Sequence, residues 1–164
     1  MHAVLRRGLD GLDAIARAAI AAAFSGMVVV VAAQVLLRYA FNSSLDWAED
    51  VARLLFVWTI FLAIPLGVRG GVHIGVNLLV QRLPAATQAA LARLTAAGSL
   101  GLMAVVAWGV VRLLPEQWDE LLPTVDLSVG WLLLPVGVGA LHSALHLAAI
   151  LVDGPPPEPA LSAE

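Results

Sequence analysis

Along this chain the polar positions come in clusters, and between them the apolar positions run on without a break. The first run, AAIAAAFSGMVVVVAAQVLL, lies between Arg17 and Arg38 and carries no charge. A second, LLFVWTIFLAIPLGV, covers Leu54 to Val68, and a helix starting near Trp47 gives it enough length to cross a bilayer. The third runs from Leu94 to Val111 and the fourth from Leu127 to Val152. A bilayer core of about 30 Å needs about 20 helical residues, so the pattern predicts four transmembrane helices, at about 14–37, 47–68, 88–112 and 127–152. The first run follows Arg6 and Arg7, as a cleaved leader would. Its apolar stretch exceeds the roughly 7–15 residues of such a segment, so it is expected to be a retained helix.

Between the second and third runs the pattern changes. Gly70 and Gly71 provide a helix stop. Ile74 to Leu83 is mainly apolar but broken by Asn77, Gln81 and Arg82, and Pro84 closes it. Ten residues cannot span a bilayer, but they can lie along its surface with Arg82 reaching headgroup phosphates. The C-terminal DGPPPEPALSAE, 153–164, is short, polar and proline-rich, which predicts a disordered tail. The chain therefore reads as an all-α membrane protein, one four-helix domain over 1–152 with an interfacial amphipathic segment between helices 2 and 3.

Composition strengthens this picture. The 164 residues are 60% hydrophobic and 13% charged, about half the charge content of a soluble domain. Such a chain cannot cover its own surface with polar groups, so lipid is its expected partner. All nine basic residues are Arg. Arg6, Arg7, Arg17, Arg69, Arg82 and Arg93 fall on the termini side, against Arg38, Arg53 and Arg112 on the other, which predicts both termini in the cytoplasm. No basic cluster suggests nucleic acid. Without cysteine, disulfides, thiolate metal sites and thiol nucleophiles are excluded.

One stretch is unexpectedly polar: RYAFNSSLDWAEDVARLLFVW, residues 38–58. Asn42, Ser43 and Ser44 suit a turn. Asp46 followed by Glu49 has the spacing of a helix-start box, and Asp46, Glu49 and Asp50 set negative charge at the positive end of the second helix. Arg53 stands where the apolar run begins, with Glu49 at i−4 and Asp50 at i−3 able to pair with it. A guanidinium at that depth costs about 3 kcal/mol or more, which demands a partner or a path to the headgroups. Tyr39 and Trp47 suit the interfacial aromatic belt. Capping with snorkelling and a contact surface for another membrane protein both account for the patch.

Histidine offers less. His73 opens the surface segment and reads first as a cap. His142 and His146, at i and i+4, share one face of the fourth helix. A b-type haem would want a histidine from another helix, and a proton relay would want a carboxylate, which the third and fourth spans lack. Interhelical hydrogen bonding is the expected role. Small residues four apart, Ala22/Gly26, Ala97/Gly101 and Gly139/Ser143, allow close helix contact. No nucleophile–base–orienter set, phosphate loop or metal-ligand spacing occurs, and no cofactor is expected.

The patch resembles the small membrane subunit of tripartite ATP-independent periplasmic (TRAP) transporters. Arg38, Tyr39, Phe41, Asn42, Trp47, Glu49, Asp50, Arg53 and Trp58 match that family in order and spacing, as do Arg69, His73, Leu83 and Pro84 in RGGVHIGVNLLVQRLP. Asn77 stands where the family usually has Asp, and Gly130 precedes Trp131 where it often has Pro. The resemblance implies a multi-pass protein of the bacterial inner membrane. It implies a non-catalytic scaffold for a large permease subunit, in sodium-coupled uptake of an organic acid delivered by a periplasmic binding protein. It also implies that Arg38, Tyr39, Asn42, Trp47, Glu49, Asp50 and Arg53 order a contact rim, and that Arg69, His73, Asn77, Arg82 and Pro84 belong to the surface segment. The alternatives are a stand-alone four-helix b-type cytochrome or quinone-interacting protein, and a homo-oligomeric channel.

Overall fold

The computed structural model describes residues 2–70 and 84–154. The described residues form four helices: α1 (His2–Ala40), α2 (Ala48–Arg69), α3 (Ala85–Trp118) and α4 (Gly130–Asp153). Each is long and apolar enough to cross a membrane, so the architecture is all-α and multi-pass. The expected surface segment, with His73, Asn77 and Arg82, and the tail beyond Gly154 lie outside the described residues.

At 1.5 Å per residue, the 39 residues of α1 reach about 58 Å and the 34 of α3 about 51 Å. Both exceed a bilayer core of about 30 Å. The apolar runs mark only the part suited to lipid, and beyond its run α1 continues with one buried face. In α1 that face begins with Leu9, Asp13 and Ala16, four and three residues apart.

α1 packs on α2, α2 on α4 and α4 on α3, giving the spatial order 1-2-4-3. The central pair, α2 and α4, is joined through two prolines. Pro65 lacks an N–H, so the carbonyl of Phe61 loses its intrahelical donor. Gly139 of α4 packs against that carbonyl so closely that a Cβ there would lie 2.3 Å from the oxygen. Only a bare Cα fits, in an approach suited to a Cα–H···O contact. Pro135 likewise frees the carbonyl of Trp131, and Trp58 of α2 donates its indole N–H to it at 3.2 Å. Each helix thus satisfies a carbonyl that the other's proline has released.

Between α1 and α2 the chain turns at Asn42, whose φ of +49° is the left-handed conformation that Asn tolerates. The expected capping role of Asp46 is not seen: Trp47 is the N-cap residue and makes no side-chain cap bond. Asp46 instead accepts from Ser44 Oγ at 3.0 Å, because α2 starts one residue too late for its carboxylate to meet the first free amides. At the far end of α2, Gly70 caps the helix with its amide on Leu66 O at 3.0 Å. Residues 119–129, between α3 and α4, fold back on themselves. Leu121 bridges Ser128, the Leu122 amide reaches Leu127 O at 2.8 Å, and the Leu122 side chain is buried.

Candidate functional site: two polar clusters at opposite ends of the bundle

Asp50 and Arg69 lie 19 positions apart on α2, which is about 29 Å of helix rise. A polar cluster forms around each. Their spacing matches the hydrocarbon thickness, as two boundary layers would.

The first cluster brings together three of the rim residues read from the sequence, Glu49, Asp50 and Arg53. Arg53 pairs with Glu49 at 3.3 Å and with Asp50 at 3.7 Å, along the helix face that the i−4 and i−3 spacing defines. Asp50 is nearly fully buried. Its Oδ2 accepts the Thr124 amide at 2.9 Å and the Thr124 hydroxyl at 2.6 Å. The carboxylate therefore clamps the α3–α4 loop over the start of α2, a role the sequence reading did not assign. Arg38, Tyr39, Asn42, Trp47, Glu49 and Arg53 are exposed. Arg112 on α3 lies with its guanidinium 4.8 Å from the Trp108 ring centroid, a cation–π distance.

The second cluster joins three helices. Asp13 of α1, with no exposed surface, is its centre. His142 Nε2 and His146 Nε2 of α4 both stand 2.9 Å from Asp13 Oδ1 and 3.2 Å from each other. On the other carboxylate oxygen, Oδ2, Asp13 receives the guanidinium of Arg69, which also engages Asp10. Arg69 thus ends α2 and turns back to α1, while Pro84 stands at the start of α3 as its N-cap residue.

The carboxylate that meets the histidines comes from α1, outside the third and fourth spans. Asp13 lies just before the span expected at about 14–37, so the apolar pattern assigns it no role. Its phase with Leu9 and Ala16 was the usable signal. With Nε2 atoms 3.2 Å apart, the histidine pair leaves no room for a planar macrocycle between them. Ser143, beside His142, is fully buried, and its hydroxyl has no hydrogen-bond partner among the described residues. It shares its face of α4 with Gly139.

Comparison with known proteins agrees with this architecture. The family of tripartite ATP-independent periplasmic transporters, DctQ component, matches residues 27–154. A Haemophilus influenzae protein named as a TRAP transporter small permease is 39% identical over 69 residues, 42% of this chain and 43% of its own. The C4-dicarboxylate TRAP transporter small permease protein DctQ of Vibrio cholerae is 33% identical over 73 residues, 44% of this chain and 32% of its own. The isethionate TRAP transporter permease protein DctMQ of Oleidesulfovibrio alaskensis is 30% identical over 97 residues, 57% of this chain but only 15% of its own. The chain spans less than half the length of these curated relatives.

Proposed function

Because the chain belongs to the DctQ component family of tripartite ATP-independent periplasmic transporters, we propose that it serves as a non-catalytic scaffold for a larger permease. The observation that carries this reading is where its likeness recurs. A segment similar to this chain makes up 15% of the permease protein DctMQ and 10% of the sialic acid TRAP transporter permease protein SiaT of another Haemophilus influenzae strain. A small helical unit that recurs inside much longer permease chains is suited to work in contact with one.

The physical features fit a brace. α2 and α4 are locked by reciprocal carbonyl contacts, and α1 is tied to both through Asp13 and Arg69. Leu94, Leu102, Val105, Trp108 and Val111 of α3 are exposed, and such apolar surface needs lipid or protein cover. In this reading the termini face the cytoplasm and the chain sits in the bacterial inner membrane. Arg38, Tyr39, Asn42, Trp47, Glu49 and Arg53, ordered from within by Asp50, form the outer rim that meets the large subunit. Arg69, His73, Asn77, Arg82 and Pro84 hold the cytoplasmic side. Sodium and an organic acid, brought by a periplasmic binding protein, pass through the partner and touch none of these residues.

Uptake by cells carrying Arg53→Ala tests the proposal. Sodium-dependent accumulation should fall with the amount of assembled complex, while the binding protein's affinity for its substrate stays unchanged. Normal assembly with full uptake would reduce the patch to a helix start.

A further inference from the structure

The second cluster has a geometry that hydrogen bonding alone leaves incomplete. Asp13 Oδ1, His142 Nε2 and His146 Nε2 form a near-equilateral triangle with edges of 2.9, 2.9 and 3.2 Å. Each edge is short enough for a hydrogen bond, yet the protons do not suffice. A neutral imidazole carries at most one hydrogen on Nε2 and an ionised carboxylate carries none, so at most two of the three edges can be bridged. A single cation above the triangle would satisfy all three atoms together.

We infer that Asp13, His142 and His146 form a binding site for one divalent transition-metal ion of the zinc class, joining α1 to α4. Bonds of about 2.0–2.1 Å at tetrahedral angles place ligand atoms about 3.3 Å apart. The observed triangle needs to open by only a few tenths of an ångström to meet that spacing. Two imidazole nitrogens and one carboxylate oxygen are a donor set such ions accept, with a fourth position left open.

The surroundings agree. Arg69 and its neighbour Asp10 account for each other's charge, so Asp13 retains a negative charge that offsets the incoming cation. Arg69 engages Oδ2, which turns Oδ1 alone toward the histidines and fixes the carboxylate as a one-oxygen ligand, the kind of outer support metal sites use. The three ligand side chains are buried, while Asp10, which shares Arg69 with Asp13, is exposed. The sequence pattern put the two histidines on one helix face but could not show the third ligand, because Asp13 is 129 and 133 positions away. This inference does not depend on the scaffold reading.

The test uses the full chain, purified in detergent without a histidine tag together with any partner it brings, stripped by chelator and then titrated with Co2+ and Zn2+ alone. The expected result is one Co2+ per chain with the d–d absorption of a tetrahedral site, displaced by one equivalent of Zn2+. His142→Ala and His146→Ala should each weaken binding more than about 100-fold, beyond the 10–100-fold typical of losing an outer partner. His2→Ala and His73→Ala should leave it unchanged. Asp13→Asn, which keeps the shape and an oxygen, is a further ligand variant should the alanine variants lose helicity by circular dichroism. Absence of the cobalt band in the wild-type chain would overturn the inference whatever the variants do. So would a band that survives in folded His142→Ala, which would mean an adventitious ion only.

Discussion

Replacing Asp13 with alanine removes the carboxylate on which α1, α2 and α4 converge, and the cost follows from its contacts. Two hydrogen bonds from His142 and His146 to a charged acceptor contribute about 1.5–3 kcal/mol each. The Arg69 side adds little: its side chain is 44% exposed and keeps Asp10, so that pairing counts for at most about 1 kcal/mol. The sum overlaps the about 3–5 kcal/mol usual for breaking a buried charged contact, and that is the expected loss. Asp13→Asn keeps an acceptor for the histidines and should lose less. The assay is SDS-induced unfolding in mixed micelles followed by tryptophan fluorescence, with chelator present so that side-chain contacts alone are measured. Unfolding of Asp13→Ala within about 0.5 kcal/mol of wild type, the range of an ordinary surface change, would refute the claim that this cluster holds α1 on the bundle.

Four further substitutions have expected outcomes in the same assay. Gly139→Ala drives a methyl group into the Phe61 carbonyl and should cost about 1–3 kcal/mol. Gly101→Ala meets nothing within 4 Å and should be neutral or stabilise by up to about 1 kcal/mol through helix propensity. Trp58→Phe leaves the Trp131 carbonyl without its donor and should cost about 1 kcal/mol. Adding Pro135→Ala supplies a backbone N–H to that carbonyl and should recover much of the loss, whereas additive losses would contradict the reciprocal-proline account. Ser143→Ala removes a buried hydroxyl with no partner among the described residues and should be neutral or stabilising.

How much of this was legible in the sequence depends on the range of each interaction. The four spans follow from charge-free runs, because a membrane helix writes its length into contiguous residues. Arg53 with Glu49 and Asp50 follows as well, since all three lie within two turns of one helix. The clamp of Asp50 on Thr124, 74 positions away, depends on how a loop folds back and has no local signature. Asp13 was hidden for another reason: α1 continues past its apolar run, so an acidic residue that looks aqueous is turned inward against α4. The i,i+4 histidines declared a need for a partner but could not name a helix. Pro65 and Pro135 mark carbonyls that need donors, while only the packing of α2 on α4 shows where the donors are.

The scaffold claim itself is tested most directly by the mass of the intact assembly. The chain is extracted from its native membrane in mild detergent through a small affinity tag and weighed with its partners attached. The account predicts one copy of this chain bound to one larger multi-spanning permease chain. A mass that corresponds to this chain alone, as a monomer or a symmetric oligomer, would contradict it.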